Sequence, residues 1–188
     1  MRPAHYHDAH ADHGASLIEA LIAVALVCST ITGVAQLLLW SRRAVWSSGA
    51  ETMAVVLAAQ KLEQLRMLTW EIDTNGQPIT DDSTDLSTAE PSAGGSGLQA
   101  SALGTLHENT SGFVDYLDSQ GVWRGTGAEP PAGSVFVRRW AILPFAADPL
   151  HTVVLHVIVL PVSDAVAADG RRSSRAAHQT TIRTRGVR

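Results

Sequence analysis

Residues 14–40 read GASLIEALIAVALVCSTITGVAQLLLW, and this stretch decides the fold. From Ala20 to Trp40 it carries no formal charge, and about 20 predominantly apolar residues are enough for a helix to span a bilayer. The alternative is a helix buried in a soluble core, but such a helix rarely stays apolar around its whole circumference for so long. We therefore predict a transmembrane helix over about residues 20–40.

The helix is expected to continue well beyond the apolar run, because no proline occurs between Pro3 and Pro78. Apolar residues then recur at steps of three and four, which is typical of an amphipathic helix. These positions are Val55, Ala58, Ala59, Leu62, Leu65 and Leu68, and polar residues, including Lys61, occupy much of the rest. Residues 73–76 read DTNG and give a strong stop signal. We expect one helix over residues 15–72, roughly 80 Å long.

The remaining residues, 73–188, are expected to form a globular α+β head. Residues 73–112 are rich in Ser, Thr, Gly and Asp and predict a polar loop, with a short helix over 98–106. Dense β-branched or alternating segments predict strands at 134–143, 152–162 and 180–184, with 113–116 pairing at an edge. The predicted fold class is α+β: a long N-terminal helix, transmembrane in its first half, packed on a small antiparallel β-sheet.

Composition excludes several classes of function. Apolar residues make up 45% of the 188 residues and charged residues 17%, so a strongly charged disordered chain is excluded. A net charge of −4 leaves no basic footprint for nucleic acid. The single cysteine, Cys28, excludes an internal disulfide and a multi-cysteine metal site. Because no acid pair, nucleophile–base set or phosphate loop can be assembled, we predict a protein that is not an enzyme and uses no cofactor.

Residues 14–19, GASLIE, carry the most specific motif. A short polar leader, a glycine, and a hydrophobic stretch with glutamate at its fifth position resemble the type IV prepilin signature, which type IV pilins share with the pseudopilins of type II secretion. The later LAAQKLEQLR at 57–66, the strand segment 136–140 and the ending 181–185 are similar to minor pilins of the V type and to the minor pseudopilin I of type II secretion.

The resemblance implies processing. Prepilin peptidase would cut between Gly14 and Ala15, remove residues 1–14 as the leader peptide, and methylate the new amine of Ala15. Glu19 would pair with the N-terminal amine of a neighbouring subunit. This pairing has a physical basis, because an ionised carboxylate in apolar surroundings needs a partner. The alternative is that Glu19 lies among lipid headgroups and is solvated there.

The resemblance also implies a place in the cell. We expect a single-pass protein of the bacterial inner membrane, with a cytoplasmic N-terminus and the 73–188 head in the periplasm, assembled into a pilus or pseudopilus. Orientation rests on the motif, since Arg42 and Arg43 follow the apolar run. Expected partners are prepilin peptidase, other pilin or pseudopilin subunits and the inner-membrane assembly platform.

Three roles remain open at this point. The first is a minor subunit that joins or primes a type IV pilus, the second is a minor pseudopilin of type II secretion, and the third is a non-polymerising membrane protein with a periplasmic binding domain. Four histidines, at positions 5, 7, 10 and 13, could hold a metal. They lie in the leader that the resemblance says is removed, so no metal site is predicted.

Overall fold

The computed structural model describes residues 16–82, 84–85, 92–93, 97–166 and 176–187. The chain divides into two compact units, Met1–Trp46 and Ser47–Arg188. The elements in chain order are α1 (Leu17–Met67), β1 (Trp70–Ile72), β2 (Pro78–Thr80), β3 (Thr84–Asp85), β4 (Ser92–Ala93), β5 (Val114–Leu117), β6 (Trp123–Gly125), β7 (Phe136–Pro144), β8 (Thr152–Pro161), α2 (Val162–Val166), β9 (Ala177–Thr184) and β10 (Gly186–Val187).

Helix α1 has 51 residues and starts where a serine can cap it. The Ile18 N–H donates to Ser16 Oγ at 3.3 Å, which satisfies one of the free N–H groups of the first turn. The helix ends at Met67, short of the predicted residue 72. The difference arises because Trp70–Ile72 pair as strand β1, antiparallel to β2 and parallel to β10, and an extended strand cannot continue a helix.

A five-stranded antiparallel sheet in the order β6-β5-β7-β8-β9 forms the centre of the unit Ser47–Arg188. Strands β7, β8 and β9 confirm the predicted segments 134–143, 152–162 and 180–184. Two expectations are wrong. Strand β5 does not lie at an edge, because β6 pairs with its other side. Residues 98–106 form turns, not a helix, with the Ser101 N–H donating to the Ile142 carbonyl at 2.9 Å.

The main core lies between the C-terminal part of α1, from Ala50 onward, and one face of this sheet. The helix contributes Ala54, Leu57, Ala58, Leu62 and Leu65, the residue just after it contributes Leu68, and the sheet contributes Phe136, Trp140, Ile142, Leu155, Val157 and Val159. The buried stripe differs from the predicted one in five positions, and two of them are Ala54 and Leu57, which are buried although the pattern did not include them. Val55 and Ala59 are exposed, and Lys61, which was placed with the polar residues, is fully buried. The stripe is centred on Leu57, Lys61 and Leu65, which are spaced by four residues and share one helix face.

The second face of the sheet is also covered, by α2 and by loops. Val114, Tyr116, Val137 and Leu160 form a smaller cluster there, with Val162 and Ala165 packed against it. The Tyr116 hydroxyl donates to the Gly127 carbonyl at 3.0 Å. Because both faces are covered, β7 is buried without interruption from Phe136 to Ile142, although its side chains alternate between the two faces.

Candidate functional site

The first part of α1 is an exposed apolar surface. Every side chain described from Ser16 to Val45 is exposed, including Leu17 at 80% and Trp40 at 72%. Among the described residues, α1 is the helix that is long and apolar enough to cross a membrane, and none of its apolar window is buried. An apolar surface of this size is unfavourable in water and is typical of contact with lipid or with other helices.

Polar side chains within this surface have partners in the helix itself. The hydroxyls of Ser29, Thr30 and Thr32 donate to backbone carbonyls three or four residues earlier, at 3.0, 2.8 and 2.8 Å. A hydroxyl bonded in this way does not leave an unsatisfied donor in an apolar environment. These residues are therefore compatible with a lipid or helix-packed setting.

Glu19 is the charged side chain of the first turn of α1, and it is exposed. The partial positive charge of a helix N-terminus favours an acid in this position. From Ser16 to Trp40 no other side chain carries a formal charge. The predicted cleavage residues Gly14 and Ala15 lie outside the described residues, so Glu19 is the predicted site residue whose position the structure gives.

Sequence reasoning missed a buried charge cluster, formed by Lys61, Asp115 and Arg138. Arg138 donates to Asp115 through Nε at 2.9 Å and Nη2 at 2.7 Å, and Lys61 Nζ lies 3.2 Å from Asp115 Oδ2. Lys61 and Asp115 are 0% exposed and Arg138 is 4% exposed. Two cations therefore share one carboxylate in the interior of the protein.

The charge cluster joins α1 to strands β5 and β7. Arg138 Nη1 also donates to the Leu57 carbonyl of the helix at 3.2 Å, and Lys61 Nζ lies 4.0 Å from the centroid of the Trp140 ring, within cation–π range. A signal for the cluster was present in the sequence. Lys61 is the chain's one lysine and falls midway between Leu57 and Leu65 at helical spacing, while Arg138 interrupts an apolar strand.

Arg139 points to the opposite face of the sheet, where its guanidinium donates hydrogen bonds to uncharged acceptors. Its Nε donates to Asn109 Oδ1 at 2.9 Å and its Nη1 to the His107 carbonyl at 3.0 Å. Burial lowers the pKa of Arg139 from its ordinary value. The two consecutive arginines of β7 thus hold structures on both faces: Arg138 holds the helix, and Arg139 holds the loop before β5.

A turn between β5 and β6 is built on Asp118. Its carboxylate accepts the N–H groups of Gln120 at 2.8 Å and Val122 at 3.0 Å, and Arg124 Nη2 donates to it at 2.8 Å. The pKa of Asp118 lies below its ordinary value, mainly because its carboxylate accepts the hydrogen bond from the Val122 N–H. This turn places Gly121 against α1, where an added Cβ would lie 2.9 Å from Leu57 Cδ2.

Groups of three or more His, Cys, Asp or Glu side chains that could hold a metal ion are absent from the part of the chain that the structure describes. The four N-terminal histidines lie outside it. A long apolar N-terminal helix packed on an antiparallel sheet is a pilin-like architecture. No protein-family model, curated protein or solved structure matches the chain.

Proposed function

We propose that the chain is a minor subunit of a type IV pilus, processed by prepilin peptidase and then incorporated into the filament or used to prime it. The observation that carries the proposal is the character of α1. Residues 16–45 expose apolar side chains on all sides of the helix, whereas the later part of the helix packs one face on a sheet. Such a helix can be held by lipid before assembly and by neighbouring helices afterwards.

Glu19 would supply the contact that selects assembly. Cleavage after Gly14 creates a free amine at Ala15, and an amine and a carboxylate removed from water stabilise one another when they pair. A neighbouring subunit presents that amine in the filament. Because Glu19 lies in the first turn of an otherwise uncharged apolar segment, an unpaired copy is penalised in the filament core more than in the headgroup region of the membrane.

The charge cluster would keep the head in a fixed position on α1 while the subunit moves from the membrane to the filament. Lys61, Asp115 and Arg138 fix the rotation of α1 about its axis and its position along that axis against β5 and β7, through an ion pair and hydrogen bonds of defined geometry. An apolar interface alone tolerates sliding more readily than a bidentate Arg–carboxylate pair does. The head then keeps one orientation relative to the part of α1 on which it packs.

Two substitutions in cells test the proposal. We expect Glu19→Ala to insert into the membrane and to be cleaved normally, but to be depleted at least about tenfold from sheared filaments, as expected for loss of roughly 1.4 kcal/mol or more of pairing. Glu51→Ala removes an exposed acid elsewhere on the same helix and serves as the matched control. Wild-type incorporation of the Glu19→Ala chain, measured by immunoblotting, would contradict the proposed pairing.

Processing is tested separately. Gly14→Trp should leave a full-length precursor on a gel, and mass spectrometry of wild-type chain should show a mature N-terminus at Ala15, with or without a methyl group. A retained Met1 in the cellular protein, with no chain in sheared fibres, would overturn the proposal and favour a non-polymerising membrane protein. Deletion of the gene separates the two filament systems, because a pilus subunit affects piliation and a pseudopilin affects protein secretion.

A further inference from the structure

A cavity of about 430 Å³ lies where β1, β2 and the chain before β10 meet the ends of β7 and β8. Its size falls within the range of small-molecule sites. Pro78, Pro144 and Pro149 supply apolar lining, and Trp70, Asp82, Gln99 and Arg185 supply the polar groups. The cavity therefore combines an apolar wall with one cation and one anion.

Arg185 is held in place at this cavity. Its backbone N–H donates to the His151 carbonyl at 2.7 Å, and its guanidinium carbon lies 3.9 Å from the centroid of the buried Trp70 ring. Stacking on an aromatic ring orients a guanidinium group while leaving its N–H donors in the plane free to bind. Arg185 therefore presents a pre-organised fork of donors.

The guanidinium of Arg185 makes no hydrogen bond to the residues that the structure describes, and its Nε is buried. The other described arginines of the unit Ser47–Arg188 all donate from their side chains: Arg66, Arg124 and Arg138 to carboxylates, Arg139 to an amide and carbonyls, and Arg183 to the Leu65 carbonyl. Burial lowers the pKa of Arg185 from its ordinary value. A partly exposed guanidinium that an aromatic ring orients, and that has no acceptor among the described residues, is the feature that a ligand would complete.

The geometry points to binding, through Arg185, of the carboxylate of a small organic acid with an apolar body. A carboxylate matches the bidentate fork of a guanidinium, and an apolar body matches the proline rings of the lining. Asp82, which accepts a bond from Gln99 Nε2 at 3.4 Å, adds a negative charge to the wall. One charge of each sign favours a monoanion over a phosphate dianion, because Asp82 repels the second charge.

Calorimetric titration of the full chain in dodecyl maltoside micelles tests this inference. The probes are N-acetylphenylalanine, its uncharged C-terminal amide and inorganic phosphate. We expect saturable binding of the acid with a Kd below about 1 mM and binding of the amide at least about tenfold weaker, since a charge-assisted bidentate contact is lost. The uncharged amide enters micelles more readily than the anionic acid, so both probes are also titrated into protein-free micelles and the affinities are compared at equal free concentration.

Arg185→Gln should weaken binding of the acid at least about tenfold, whereas Arg66→Gln, a change on the exposed face of α1, should leave it unchanged. The acid–amide comparison uses the unaltered protein, so the inference can be judged even if Arg185→Gln fails to fold. Equal binding of acid and amide, tighter binding of phosphate, or no saturable binding of the acid would overturn it. None of these results depends on filament assembly, so they leave the proposed pilus function to its own test.

Discussion

Substitution of Asp115 by asparagine is the sharpest test of how α1 is attached to the head. The change keeps the size of the side chain and removes its charge. Lys61 and Arg138 then remain buried with no carboxylate between them, although three contacts of 2.7 to 3.2 Å joined them to Asp115. We expect a large loss of stability, because two buried cations would face each other without compensation.

The size of the loss follows from the burial of the cluster. Removing one partner of a buried ion pair costs about 3–5 kcal/mol, and the lower value applies here because the asparagine carbonyl can still accept one bond from Arg138. A loss of about 3 kcal/mol lowers Tm by about 6–12 °C in a domain of this size. Near-ultraviolet circular dichroism of the full chain in dodecyl maltoside micelles reports the loss, since Trp140 contacts the cluster.

Lys61→Met is the matched comparison. It removes one of two cations and leaves the bidentate pair between Arg138 and Asp115 intact. The cation–π contact with Trp140 is lost, but so is the cost of burying an ammonium group, and the net change should be within about 1 kcal/mol. The reasoning is refuted if Asp115→Asn melts within about 2 °C of the wild type, or if Lys61→Met is destabilised equally.

Two further predictions concern the turn between β5 and β6. The folded-state pKa of Asp118 lies below its ordinary value of 3.8, so its contribution to stability is present above that value and is lost as pH falls through the folded-state pKa. Tm of the wild type should therefore drop more between pH 5 and pH 3, as rough limits, than Tm of Asp118→Asn, and parallel curves would contradict this. Gly121→Ala should be destabilised more than Gly133→Ala. Both positions have positive φ, 79° and 82°, which costs about 1–2 kcal/mol for alanine, but only at Gly121 would the new Cβ meet Leu57. Equal losses of Tm in the two variants would show that the contact with Leu57 adds nothing to the cost of the substitution.

Local patterns in the sequence were sufficient for the elements that depend on near neighbours. The length of the apolar run and the absence of proline predicted a long N-terminal helix, because helical hydrogen bonds join residues four apart. Alternation and β-branched residues predicted β7, β8 and β9 for the same reason, since alternate residues within a strand face opposite sides of the sheet. The motif at Gly14–Glu19 predicted processing and charge pairing, which await the cellular experiments.

Tertiary structure decided what depends on residues far apart in the chain. Whether Lys61 is solvated or buried depends on Asp115 and Arg138, which lie more than fifty residues away and reach it only when β5 and β7 pair beneath α1. Strand β10, near the other end of the chain, likewise adds to the strand pairing that follows the end of α1, since Gly186 and Val187 pair with Glu71 and Ile72. Arg185 and Trp70 meet at one cavity for the same reason. Periodicity within a segment reports which face of an element is apolar, but the partner of a buried charge is set by strand order, and strand order is a property of the whole fold.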